Sequence, residues 1–166
     1  MWIIDGDMLD IKRRYCLKKK ELKKIKEELD GIFGNEIIPK KANAELAITE
    51  DYEMILINNE PVAFKINDKI YPTLKTILNH ELNKGKVVVD MGAVRFLANG
   101  ADVMSPGIVD ADEDIKEGDV VFVVDETHHR PLCVGEALMD GKTMKESNKG
   151  KAIKTIHYIG DDIWKF

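Results

Sequence analysis

The stretch Val89-Asp90-Met91-Gly92-Ala93-Val94-Arg95-Phe96-Leu97-Ala98-Asn99-Gly100-Ala101-Asp102-Val103-Met104-Ser105-Pro106-Gly107 changes its structural signal several times within a short run of chain. Val87 to Val89 has the composition of a strand, and Gly92 to Asn99 reads as a short helix whose Ala93, Phe96 and Leu97 point inward. Asn99-Gly100 supplies a left-handed helix stop, since glycine takes positive φ without a Cβ clash. Val103-Met104 begins another strand, and Ser105-Pro106-Gly107 turns the chain.

Downstream, Val120 to Val124, Leu132 to Leu138 and Ala152 to Ile159 add strands, separated by turns at Glu117-Gly118-Asp119 and Thr127 to Pro131. Short strands at this frequency, with one inserted helix, predict a small closed or half-closed barrel. Upstream the pattern differs. Leu22, Ile25, Leu29, Ile32 and Phe33 recur at helical spacing from about Lys18 to Phe33, with Lys19, Lys23 and Lys26 along one flank. Ala44 to Thr49, Met54 to Asn58 and Val62 to Ile66 then read as an antiparallel meander on that helix, with Asn58-Asn59-Glu60-Pro61 as a tight connection. Tyr71-Pro72-Thr73 opens a second helix, with Pro72 in its first turn. Asn83-Lys84-Gly85 breaks the pattern, so the expectation is an α+β protein: a small α/β domain over 1–85, then a mixed-strand pseudo-barrel over 86–166.

The chain has 166 residues, 33% of them charged and 44% hydrophobic, which is enough apolar material for a packed core without metal or disulfide. No apolar run reaches the roughly 18 residues of a membrane span. Met1 to Asp10 lacks the order of a signal peptide, and Cys16 and Cys133 form no C-x-x-C pair, so a cytoplasmic chain with reduced thiols is expected. The net charge of −5 argues at first against nucleic acid, but it is segregated. Lys12 to Lys26 holds nine basic residues against Glu21 alone, a net of +8, and Lys142 to Lys154 holds five against Glu146, a net of +4. Two basic patches on an acidic protein are the pattern expected when a phosphate backbone is held on one side and repelled elsewhere.

Catalytic patterns fail on spacing. Gly141-Lys142-Thr143 has Glu136 where a phosphate-binding loop needs its first glycine. His128, His129 and Cys133 read as a polar hairpin tip followed by a buried strand cysteine rather than as metal ligands, since a fourth ligand is missing. Asp110, Asp112, Glu113 and Asp114 lack the ligand order of a calcium loop. Neither a metal nor a cofactor is called for, and the sequence reads as that of a binding protein rather than an enzyme. Trp164 and Phe166 could stack on a base, but closing the barrel or the domain interface is the simpler role.

The quoted stretch, followed by Ile115-Lys116-Glu117-Gly118-Asp119-Val120-Val121 and Leu132-Cys133-Val134-Gly135, resembles the PUA domain. Tyr71-Pro72-Thr73-Leu74 before it, and Ser147-Asn148-Lys149-Gly150-Lys151-Ala152-Ile153 through Ile156-His157-Tyr158 to Asp162-Ile163-Trp164 after it, narrow the resemblance. They are similar to the malignant T-cell-amplified sequence and translation-machinery-associated family, in which a pre-PUA domain precedes the PUA domain. The compact first half looks like that of archaeal members. The resemblance implies an RNA-binding, translation-associated factor whose partners are RNA (a tRNA acceptor end or rRNA), the small ribosomal subunit and a translation initiation factor, with no membrane. An accessory RNA-recognition subunit of a modification enzyme is the alternative. The RNA surface it implies is Gly92, Arg95, Asn99, Gly100, Ala101, Met104, Ser105, Pro106 and Gly107, with Lys149 and Lys151 nearby; Lys12, Arg13, Arg14, Lys19, Lys23 and Lys26 are expected to contact phosphate.

Overall fold

A computed structural model describes residues 10–166, so the opening residues that bear on a leader lie outside the described residues. In the first half, β1 (Arg13–Cys16), β2 (Ala44–Ile48), β3 (Glu53–Ile57), β4 (Glu60–Ile66) and β5 (Lys69–Pro72) form one antiparallel sheet in sequential order. The helix α1 (Lys19–Phe33) buries Ile25, Leu29 and Phe33 in the core this sheet shares, each worth roughly 2–3 kcal/mol of transfer free energy. Two hairpins close on asparagine and aspartate: Asn58-Asn59 and Asn67-Asp68 all have φ between 50° and 66°, the conformation a two-residue primed turn requires.

The first half holds two strands beyond the expected meander. One is an edge strand, β1, pairing Arg13 with Ile48 and Cys16 with Glu45. Charged side chains suit an edge because they discourage pairing with another chain. A further strand, β5, follows the meander, and Pro72 ends it rather than starting a helix. Thr73 is the cap of α2 (Leu74–Asn79), its Oγ1 accepting the Thr76 amide.

The second half runs β6 (Lys86–Val89), α3 (Met91–Leu97), β7 (Val103–Met104), a single 3-10 turn (Ser105–Gly107), β8 (Ile108–Ala111), β9 (Val120–Asp125), β10 (Pro131–Ala137), α4 (Gly141–Glu146), β11 (Lys151–Tyr158) and α5 (Asp162–Lys165). Its six strands lie in the order β7-β11-β10-β9-β6-β8 and curl into a half barrel; β6 and β9 are the one parallel pair. Short α4 and α5, additions to the expected strands, start at Asp140 and Asp161, whose carboxylates accept the Thr143 and Trp164 amides. Gly141-Lys142-Thr143 is thus an ordinary first helical turn.

Alternation along the central strands decides which core each side chain joins. Val121 and Val123 of β9 face the barrel core with Leu97, Val103 and Ile153, while Val120, Phe122 and Val124 face the core shared with the first half. A sheet covered on both faces explains why β9 reads as an unbroken apolar run. Ile163 of α5 also enters that shared core, with Trp164 and Phe166 packed against it, and Phe33 meets Phe122 edge-on at 6.3 Å.

Two polar ties cross the same junction. His157 of β11 is fully buried; its Nε2 accepts the Leu74 amide at 3.0 Å, and its Nδ1 lies 2.8 Å from Asp161. At the surface, Lys69 Nζ reaches Glu136 at 3.4 Å and donates to the Gly118 carbonyl.

Candidate nucleic-acid interface

The helix α3 is held by its cap and by one anchor. Asp90 Oδ1 accepts the Ala93 amide at 3.0 Å, and Leu97 is buried in the barrel core. Phe96, expected to point inward, instead stands out of the helix with 57% of its surface exposed. The reason is angular: Ala93 and Leu97 are four residues apart and share a face, whereas Phe96 lies about 100° away from Leu97. The Arg95 guanidinium lies over the Phe96 ring at 5.3 Å.

Beyond α3, Gly100 takes φ +84°, and a Cβ there would sit 2.7 Å from the Tyr158 ring, so both conformation and space require glycine. Ala101 and Asp102 are then tied to β11: the Ala101 carbonyl accepts Thr155 Oγ1, and Asp102 Oδ1 accepts the Thr155 amide. Between α3, β7 and the 3-10 turn lies an open cleft of about 590 Å³. Gly92, Phe96, Ala101, Met104, Pro106 and Gly107 line it, with Lys151 at the rim 3.3 Å from Asp102. Exposed Lys149 follows α4 in the turn that leads to Lys151, and Asn99 donates its side-chain amide to the Arg95 carbonyl.

Ser105 does not face the cleft. Its Oγ is buried and donates to the Ser147 carbonyl, with the Met144 carbonyl 3.2 Å away, and its amide donates to the Gly150 carbonyl, so that N–H is not free to meet a ligand. The residues brought together are therefore an apolar trough, an exposed aromatic ring and cations at the edge. Such a shape accepts the face of a planar apolar group and offers charge to a phosphate beside it.

The lysine surface is built differently. Lys18, Lys19, Lys20, Lys23 and Lys24 are exposed on and beside α1, with no ion-pair partner among the described residues. The Lys23–Glu27 and Lys24–Glu28 spacings are not realised as pairs; the i, i+4 pair is Lys26–Asp30 at 2.8 Å. Lys26 also reaches Glu36 at 3.3 Å and the Ile38 carbonyl, so it is spent on holding the end of α1. Arg14 is spent likewise: it grips Glu45 through two hydrogen bonds and donates to Asn59. That bidentate pair holds the Glu45 carboxyl below the usual carboxylate range and raises Arg14 further. Arg13 covers Tyr15 at 5.1 Å, and Lys12 pairs with Asp10 at 3.2 Å.

The second basic cluster is divided by the fold. Lys151 stays with the α3 cleft, but α4 carries Lys142 and Lys145 to the acidic side, where Lys145 binds Glu113 at 2.9 Å. His128 and His129 form a hairpin tip organised by buried Asp125, whose carboxylate accepts the His128, Arg130 and Thr127 amides; those bonds, the His128 amide foremost, hold it below its ordinary range. Cys133 is buried, and loss of hydration pushes its thiol up to about 12.

Residues 85–159 match the PUA domain, an RNA-binding module, and residues 13–80 match a domain described as one of unknown function, DUF1947. The chain belongs to the family that includes translation machinery-associated protein 20 and malignant T-cell-amplified sequence 1. It is 34% identical to translation machinery-associated protein 20 of Schizosaccharomyces pombe over 94% of this chain and 93% of that one. An uncharacterized protein of Methanocaldococcus jannaschii is 63% identical over 95% and 99%. Among solved structures, a hypothetical protein of Pyrococcus horikoshii superposes with TM-score 0.85 at 45% identity, covering 92% of this chain and 98% of that one. A PUA domain structure from Aeropyrum pernix gives 0.79 at 32%, covering 95% of each. The resemblance drawn from residues 89–107 and their flanks is borne out.

Proposed function

We propose that this chain is a non-enzymatic, cytoplasmic RNA-binding factor of translation that acts on the small ribosomal subunit and on tRNA. The domain of residues 86–166 takes an RNA end in the α3 cleft, with Arg95, Lys149 and Lys151 at the phosphates. The domain of residues 1–85 lays Lys19 and Lys23 along a phosphate backbone. The observation that carries this reading is the cleft: an apolar trough beside an outward Phe96 with cations on its rim, in a chain whose relatives are named for association with the translation machinery.

The test is co-sedimentation of purified protein with small subunits, together with tRNA binding at about 0.15 M salt, where weak long-range attraction is largely screened. Binding to both, and to tRNA more tightly than to heparin, is expected. Absence of co-sedimentation with no preference over heparin defeats the reading, and a pull-down dominated by an RNA-modification enzyme favours an accessory recognition role instead.

A further inference from the structure

We infer that His157 is a positioning residue that fixes the cleft relative to the lysine surface, so that a single RNA can engage both at once. The inference rests on the RNA-binding reading above, and it concerns geometry rather than contact with RNA.

His157 is fully buried and bonded through both ring nitrogens. Because Nε2 accepts from a backbone N–H, the proton of the neutral ring sits on Nδ1 and is donated to Asp161. The accepted amide is that of Leu74, the first residue of α2, and a helix leaves its first amides without partners of their own. Thr73 already satisfies Thr76, so His157 completes the start of a helix that belongs to the other half of the molecule. Its ring stands edge-on to Phe64 at 5.5 Å, and Phe64 stacks on Tyr71 at 5.4 Å.

The next residue reaches the opposite way. Tyr158 closes over Gly100, where α3 turns into the cleft, while its amide donates to the same Asp161. Two successive residues of β11 therefore hold the first half on one side and the RNA cleft on the other. The other polar contacts between the halves, Lys69 with Glu136 and the Gly118 carbonyl and Lys75 over the Trp164 ring, use partly exposed side chains, and ion pairs of that kind constrain little. When two weak sites are joined rigidly at the right spacing, the second contact becomes intramolecular and avidity rises by roughly 10²–10⁴ over either alone; a wrong or loose spacing forfeits it.

Two substitutions separate the bond from the side chain. In His157→Gln the amide oxygen can still accept from Leu74, whereas in His157→Asn the shorter chain reaches Asp161 but not Leu74. The relative position is read by electron-spin distance measurement between a label on exposed Cys16 and one on Asn148→Cys, buried Cys133 remaining unlabelled. Binding is read with deacylated tRNA, with heparin and with a tetranucleotide RNA small enough for the cleft alone.

For the folded Asn variant the distance distribution is expected to broaden and tRNA affinity to fall about tenfold or more, with heparin and tetranucleotide binding unchanged. The Gln variant is expected to restore both. A narrow distribution or tRNA affinity within twofold of the parent in the Asn variant overturns the inference. If the Asn variant does not fold, replacing Leu74 by its α-hydroxy acid keeps the buried side chain and removes only the amide donor, deleting the same bond from the other side, and the same two outcomes decide. Should the parent protein fail to bind tRNA, the proposed function falls, while the distance measurement still judges the role of His157.

Discussion

Lys19, Lys20, Lys23 and Lys24 stand on the outer face of α1 with their ammonium groups in water, whereas Phe96, Met104 and Pro106 border a trough whose floor is the barrel core. In the function proposed above, the first surface works by summed charge: each lysine displaces counterions from a phosphate, with little demand on direction. The second works by shape and by burial of apolar area, which depends weakly on salt. A protein with a net charge of −5 can use both because Lys26 and Arg14, though counted in the same basic run, are consumed internally. A count of lysines along α1 therefore exceeds the number of cations that the fold leaves unpaired for a polyanion.

Reversing Lys19, Lys20 and Lys23 to Glu should break the first surface and leave the second. Affinity for tRNA is expected to fall by on the order of a hundredfold at about 0.1 M salt, and the slope of log affinity against log salt to become shallower by roughly 0.7–0.9 for each phosphate that is no longer neutralised. Equilibrium binding over a salt series measures both; an unchanged slope would mean that α1 does not touch RNA.

Phe96→Ala attacks the cleft. A base stacked on an aromatic ring contributes about 1–3 kcal/mol, so a loss of about tenfold or more is expected with the salt slope unaltered. Stability should stay near that of the parent because the ring is already outside the core.

Gly100→Ala deforms the cleft from behind, since the new methyl meets the Tyr158 ring and the backbone holds positive φ. About 1–2 kcal/mol of unfolding free energy should be lost in urea titration, with weaker tetranucleotide binding and heparin binding intact. Finally, Lys26→Ala should cost no more than about 1 kcal/mol of stability and change tRNA affinity less than twofold, in contrast to Lys23→Ala. If the two behave alike in RNA binding, the distinction between spent and unspent lysines is wrong.

Much of the fold is legible in the chain itself, for identifiable reasons. The helix α1 can be read because Leu22, Ile25, Leu29 and Phe33 repeat at its period, and β2 to β4 because apolar runs are punctuated by an Asn-Asn turn. The cleft can be located because residues 89–107, which include Gly100, Pro106 and Gly107, resemble the PUA domain, which residues 85–159 match. Strand β1 escapes notice because a charged edge strand shows no alternation, and α4 and α5 because each is short and announced only by an aspartate cap. The orientation of Phe96 is accessible by helical angle, from the four-residue spacing of Ala93 and Leu97. The pairing of Arg14 with Glu45, and of His157 with Leu74, is not, because the partners meet only when separate elements are packed.

The packing of Ile163 into the core of the first sheet, and of Trp164 and Phe166 against it, bears on how the protein is made. Synthesis delivers β1 to α2 early, and the side chains that finish covering them only after the whole half barrel has been translated. A nascent chain stalled once α2 has cleared the ribosome should carry its meander and α1 with one apolar face still open, and so be cut readily by protease or held by a chaperone. Chains stalled after α5 has cleared the ribosome should resist cleavage across both halves in a single step, which makes the maturation of the lysine surface wait on the completion of the cleft.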